Sequence, residues 1–306
     1  MIAFLFPGQG SQHAGMGKNL ADNFPLARHV FEEANDTLNF NLSSLCFDGP
    51  DEKLKLTEIT QPAILTVSVA ALRILQQETG LKPDFAAGHS LGEYSALVCS
   101  GALDFPDAVK IVHQRGTFMQ EAVPVGVGSM AAIIGLTSDE LLDVCKNAAQ
   151  DQIVSPANYN SDTQVVIAGH AEAVERAIGL AKEKGAKRAM PLPVSAPFHC
   201  ALMQPAGERL AKVLDAIDVK PMQCPVISNV EAVPNQSSDR VVELLVNQVS
   251  APVRWAESMQ AMLDLGVERF VEIGPGKVLS GLLKRIAKQA KIENVQDAEN
   301  VRAISV

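Results

Sequence analysis

Two hydrophobic rhythms alternate along the chain. Short unbroken apolar runs end in glycine turns, and longer stretches carry apolar residues every three or four positions. That alternation predicts an α/β protein with a parallel sheet. Ile2–Phe6 reads as a buried strand running into Pro7-Gly8-Gln9-Gly10. Pro62 is expected to open a helix through Ala63–Glu78 that stops at Gly80, because proline lacks the N–H that a first turn leaves unpaired. A strand near Asp84–Gly88, a turn at His89-Ser90 and a helix from Leu91 to about Ser100 follow. Asp107–Glu121 is another helix, closed off by Pro124 and Gly126.

The rhythm then changes. Met130–Gly135, Ile153–Tyr159, Thr163–Ala168 and Lys187–Val194 read as strands. Between them lie helices over Ser138–Gln150, with Ser138 as N-cap, and over Glu172–Gly185. This β-α-β-β-α-β order is ferredoxin-like. Residues 125–194 are therefore expected to form a small subdomain inserted into a larger one built from 1–124 and 195–306. In the C-terminal part, Pro225–Asn229 and Arg269–Ile273 are predicted strands, Gly276–Ala290 a helix, and the residues after Lys291 a polar tail.

Composition narrows the class. A net charge of -9 argues against a nucleic-acid binder, whose affinity rests on neutralising phosphates. No run reaches the roughly 18 apolar residues of a membrane span. The longest, Ala63–Leu72, is broken by Thr66 and Ser68 and reads as a buried helix. The N-terminus lacks the basic start and cleavage site of a signal peptide. Five scattered cysteines without a C-x-x-C argue against a disulfide framework or a zinc site, and a reducing cytoplasm fits them best.

Candidate chemistry begins at Gly88-His89-Ser90-Leu91-Gly92, a G-x-S-x-G pattern. Between a strand and a helix it makes a sharp turn that lifts the serine clear of the backbone, with a helix N-terminus beside the site of developing negative charge. The Pro7–Gly10 loop could bring a second backbone N–H to that site; alone, it is an ordinary strand-to-helix turn. A serine hydroxyl needs a base. Of six histidines, His89 sits on the elbow and should point away, His113 lies on a helix, and His13, His29 and His170 stand in polar or loop contexts. His199, in Ser195-Ala196-Pro197-Phe198-His199, stands where the chain leaves the small subdomain and is the best candidate. No acid to orient it is evident. Asp215 and Asp218 have no special features, and a backbone carbonyl would serve as well. Arg115 and Met119 share one helix face. Arg115 would grip a carboxylate if that face lines a cleft, or form a surface salt bridge if it does not.

Together these pieces resemble the malonyl-CoA:acyl carrier protein transacylase family of fatty acid synthesis. The matching motifs are F-P-G-Q-G-S-Q at 6–12, T-Q-P-A at 60–63, G-H-S-L-G-E at 88–93 and Q-R-G at 114–116. S-A-P-F-H at 195–199, N-Q at 247–248, P-V-R-W at 252–255 and E-I-G-P-G at 272–276 follow in order. The resemblance implies a hydrolase-like core with a ferredoxin-like insertion. It implies Ser90 as acylated nucleophile, His199 as general base, the N–H groups of Gln9 and Leu91 as oxyanion donors, and Arg115 as the malonyl carboxylate ligand. It also implies that the Gln248 carbonyl orients His199 and that Phe198 crowds the α-carbon, favouring malonyl over methylmalonyl. Malonyl-CoA and an acyl carrier protein are the expected partners, with no metal or cofactor, no membrane, and a monomeric state. A cluster of Lys182, Lys184, Lys187 and Arg188 is a candidate docking patch for the carrier, or simply a solvated helix end. Rival readings are a serine thioesterase or esterase, a non-catalytic scaffold, and a free-standing polyketide acyltransferase.

Overall fold

A computed structural model describes residues 1–304. Its ten strands are β1 (Ile2–Phe6), β2 (Phe85–Gly88), β3 (Gly128–Ile134), β4 (Val154–Ser161) and β5 (Gln164–His170), then β6 (Arg188–Pro191), β7 (Val226–Ile227), β8 (Pro234–Asn235), β9 (Arg269–Ile273) and β10 (Lys291–Val295). They form a six-stranded sheet in the order β10-β9-β1-β2-β7-β8 and a four-stranded sheet in the order β4-β5-β3-β6. The six-stranded sheet is parallel except for β8, which pairs antiparallel with β7. The fold is thus α/β with a parallel sheet and a separate antiparallel one, as the hydrophobic rhythm predicts.

β1 lies inside the large sheet with helices over both faces, which is why its apolar run is unbroken. Phe4 and Phe6 pack towards the helices Thr57–Thr79 and Phe105–Glu121, while Ala3 and Leu5 pack towards Trp255–Asp264 and Val278–Ile286. The register sets Phe6 beside Gly88, so the loops leaving β1 and β2 emerge side by side. Ligand sites of open parallel sheets form beyond such carboxyl ends. Glycine permits the closeness: a Cβ on Gly92 would lie 2.1 Å from the Phe6 carbonyl oxygen, and one on Gly88 would lie 1.9 Å from the Gly92 backbone.

The four-stranded sheet carries the helices Ser138–Ala149 and Ala171–Glu183 on one face, and its strand order is ferredoxin-like. It joins the larger region along β4, where Tyr159 N–H donates to the Val253 carbonyl at 2.9 Å and Val253 N–H to the Ala157 carbonyl at 2.8 Å.

Several local expectations are corrected. The helix expected to open at Pro62 begins at Thr57, so Pro62 lies inside it. Proline cannot donate to the Glu58 carbonyl; the His113 ring donates through Nδ1 instead, at 2.8 Å, and the helix continues. At 23 residues this helix is long and apolar enough to cross a bilayer, but 83% of its apolar window is buried in the core. Thr137, not Ser138, caps the next helix, because it exchanges bonds with Glu140 in a capping box. β6 ends at Pro191; Leu192 N–H still donates to the Met130 carbonyl of β3 at 2.9 Å, and residues 192–194 line a cleft. The polar tail is an edge strand, β10, followed by the helix Ala298–Ala303, which Asp297 caps.

Candidate active site

Ser90 sits where β2 turns into the helix Gly92–Cys99, at φ +53°. A non-glycine residue there costs about 1–3 kcal/mol and persists only where its surroundings hold it. Here they do. The Asn229 side chain bridges the elbow, accepting from Ser90 N–H at 2.7 Å and donating to the Gly88 carbonyl at 2.7 Å. The Gln248 side-chain amide donates to the Ser90 carbonyl at 2.9 Å.

His199, also at positive φ (+60°), is buried against the elbow. Its Nε2 lies 2.7 Å from Ser90 Oγ, and its Nδ1 lies 2.9 Å from the Gln248 carbonyl oxygen. A carbonyl only accepts, so Nδ1 carries the proton and Nε2 is free to receive one from the serine. The ring's partner is a backbone carbonyl rather than Asp215 or Asp218. Burial first, and the Arg115 charge second, lower the imidazole to about 3. The ring is therefore neutral at ordinary pH.

Arg115 is buried, on the helix Phe105–Glu121, which discards the surface salt bridge. Its guanidinium donates to Gln61 Oε1 at 2.7 Å, to Gln248 Oε1 at 2.8 Å and to Ser90 Oγ at 3.2 Å. It also lies 5.5 Å from the Tyr94 ring centroid. All these partners are neutral, and among the described residues Arg115 forms no ion pair. The nearest acid, Glu93, reaches Arg115 only across the Gln248 amide, so the guanidinium at the nucleophile can still receive an anion.

These groups border a cavity of about 120 Å³, walled also by Met119, Phe198, Met130 and Leu192. Gln9 and Leu91 line it, and among the described residues neither of their N–H groups donates a hydrogen bond. Through Gln9, His89, Asn158, Leu192 and Val194 it shares walls with a larger, mainly apolar cleft of about 470 Å³ between the two sheets. The structure thus brings Ser90, His199, Gln9, Leu91, Arg115, Met119, Phe198 and Gln248 into one place. His89 is turned away, its Nε2 2.9 Å from Asn160 Oδ1. Cys200 is buried, its thiol pushed up to about 11 by burial, and it donates to the Pro197 carbonyl.

Lys182, Lys184, Lys187 and Arg188 do not line the cleft, although Arg188 lies level with the cleft-lining Gln164 across β3. Lys55 lines the cleft instead. Three contributors carried no role in the sequence reading: Gln61, Asn229 and Glu93. Glu93 Oε2 accepts from Gln248 Nε2 at 2.8 Å and from Asn229 N–H at 3.1 Å, and burial raises its carboxyl to about 7. A lone acid in the otherwise apolar helix G-E-Y-S-A-L-V-C was the available signal.

Residues 3–304 match the family model described as an acyl transferase domain. The chain is 53% identical over 285 residues to the malonyl CoA-acyl carrier protein transacylase of Escherichia coli K12, covering 93% of this chain and 92% of that one. The crystal structure of an acyl carrier protein S-malonyltransferase from Vibrio cholerae is similar at a TM-score of 0.97 and 50% identity, covering 99% of both chains. A malonyl-transacylase solved in complex with a type II PKS acyl-carrier protein is similar at 0.97 and 49%, covering 99% of this chain and 98% of that one.

Proposed function

Because the chain belongs to the acyl transferase family, among the malonyl-CoA:acyl carrier protein transacylases, we propose that it carries malonyl from malonyl-CoA to the phosphopantetheine thiol of an acyl carrier protein. It is an acyltransferase, and the carrier we assign is that of fatty acid synthesis.

The observation that carries the reading is a single oxygen with two neighbours. Ser90 Oγ is 2.7 Å from His199 Nε2 and 3.2 Å from the buried Arg115 guanidinium. In the proposed mechanism, Oγ attacks the malonyl thioester carbonyl while Nε2 takes its proton. The oxyanion rests on the N–H groups of Gln9 and Leu91. Arg115 holds the free carboxylate, Met119 and Phe198 bound the acyl pocket, and the Gln248 carbonyl steadies the imidazolium. The carbonyl re-forms, the C–S bond breaks, and coenzyme A leaves with the proton from His199. The carrier thiol then repeats the sequence on the malonyl-serine ester and returns the proton to Ser90 Oγ. Protein and substrates carry every proton and charge, so the scheme uses no metal or cofactor. The chain acts as a monomer in the cytoplasm, in keeping with its five free cysteines. Residues 125–194 act as one subdomain, and 1–124 with 195–306 as the other.

Initial-rate kinetics with malonyl-CoA and a fatty acid holo-carrier test this. Parallel double-reciprocal lines and one malonyl-carrier per coenzyme A released are expected. Steady coenzyme A release without any carrier would mean a thioesterase. Transfer confined to a polyketide carrier would move the assignment to that pathway.

A further inference from the structure

We propose that Glu93 is a positioning residue that aims the oxyanion-binding N–H of Leu91, an inference that rests on the acyl-serine reading above. Oxyanion stabilisation depends on where a backbone N–H points, and that direction belongs to a whole peptide plane. The Ser90 carbonyl and the Leu91 N–H share one trans plane, so they point in opposite directions. Whatever holds the carbonyl therefore aims the N–H.

Two N–H groups hold it, the Glu93 backbone N–H at 3.1 Å along the helix and, as the one side-chain donor among the described residues, Gln248 Nε2 at 2.9 Å. An amide can sit either way round, and its neighbours decide. Glu93 Oε2 accepts from the same Nε2 at 2.8 Å, and Arg115 donates to Oε1 at 2.8 Å. An acid on one side and a cation on the other leave the side chain a single orientation. The second arm runs through Asn229. Glu93 Oε2 accepts its backbone N–H at 3.1 Å, and the Asn229 side chain pins Ser90 N–H and the Gly88 carbonyl. One carboxyl oxygen thus braces both peptide planes flanking a serine at positive φ. Glu93 touches no reacting atom and does not line the acyl cavity. It borders a separate cavity of about 10 Å³ with Ser228 and Asn235.

Single-turnover acylation by malonyl-CoA, followed by intact mass across a range of concentrations, separates this role from a merely structural one. Wild-type protein comes first: without a malonyl ester on Ser90, the acyl-serine reading itself fails. Given that ester, Glu93→Ala is expected to slow maximal acylation about 50-fold, within the range for losing one oxyanion donor. KM should stay within about threefold, because the carboxylate site at Arg115 is a ground-state contact. Glu93→Gln keeps an acceptor for both N–H groups and should restore most of the lost rate. Asn229→Asp, matched in size, keeps an acceptor for Ser90 N–H but cannot donate to the Gly88 carbonyl, and should also be slow at unchanged KM. An undiminished maximal rate in Glu93→Ala, or a loss confined to KM, overturns the proposal. So does Glu93→Gln acylating as slowly as Glu93→Ala. If Glu93→Ala does not fold, Glu93→Gln and Asn229→Asp decide: the proposal stands on a near-normal rate in the first with a large loss in the second, and falls on any other pairing.

Discussion

The cleft has two walls of different construction. The six-stranded sheet is packed on both faces, and from it and its loops come Ser90, His199, Arg115, Gln61, Gln248, Glu93 and Asn229. The four-stranded sheet keeps its helices on one face. Ala131 and Ile133 point into that helical layer, while Met130, Ala132 and Val166 face the other way and border the cavities. One wall holds polar groups at defined distances; the other offers mostly apolar shape. Buried polar groups are costly unless fully partnered, and a doubly packed sheet supplies rigid partners on every side. The hydrogen-bonded polar groups around Ser90 are thus concentrated on the doubly packed sheet, while the second sheet closes the cavity with mainly apolar side chains.

The largest test of that division is His199→Ala, expected to lower acylation by about four orders of magnitude or more while leaving malonyl-CoA binding largely intact. Next is Arg115→Ala. If Arg115 holds the malonyl carboxylate, its loss should cost malonyl transfer about 100- to 1,000-fold and acetyl transfer far less. Equal losses for both acyl groups would remove its carboxylate role.

Titration sharpens the same contrast. Burial and Arg115 hold His199 near 3 rather than 6.5, so between those values the folded protein binds fewer protons than the unfolded one. That contribution to stability falls as pH drops through this window. Glu93 is raised from 4.5 to about 7, so the folded state there binds more protons, and its contribution falls as pH rises through that window. For the reaction, kcat/KM should show no acid limb near 6.5 and stay within about threefold between pH 5 and 7.5. A limb at 6 to 6.5 in wild-type protein would contradict the account of the buried imidazole.

The smallest effect belongs to the apolar wall. Met130→Ala, at a position 4% exposed, should raise KM a few-fold, change the maximal rate by less than about twofold and cost about 2–3 kcal/mol of stability. A loss of rate rivalling that of Arg115→Ala would break the division between the walls.

Much of this was legible where local rules and tertiary structure agree. β1, β2 and the elbow follow from apolar runs closed by glycine, and the small sheet from its element order. Legibility failed where a distant partner overrides a local rule. Pro62 lies inside a helix because His113, 51 positions later, takes the carbonyl that proline cannot reach. β10 reads as a tail because an edge strand needs little apolar content. Arg115 had two readings in the sequence, and its burial removes only the surface salt bridge. Glu93 and Asn229 are joined across 136 positions, a pairing no local pattern announces.

The most direct measurement is the intact mass of the protein after mixing with malonyl-CoA alone, with Ser90→Ala as control. The account predicts a gain of one malonyl group, absent in the variant and discharged by a carrier thiol. An unshifted wild-type mass with steady coenzyme A release would contradict a transferase working through a stable ester, and equal labelling of Ser90→Ala would contradict the assignment of the nucleophile.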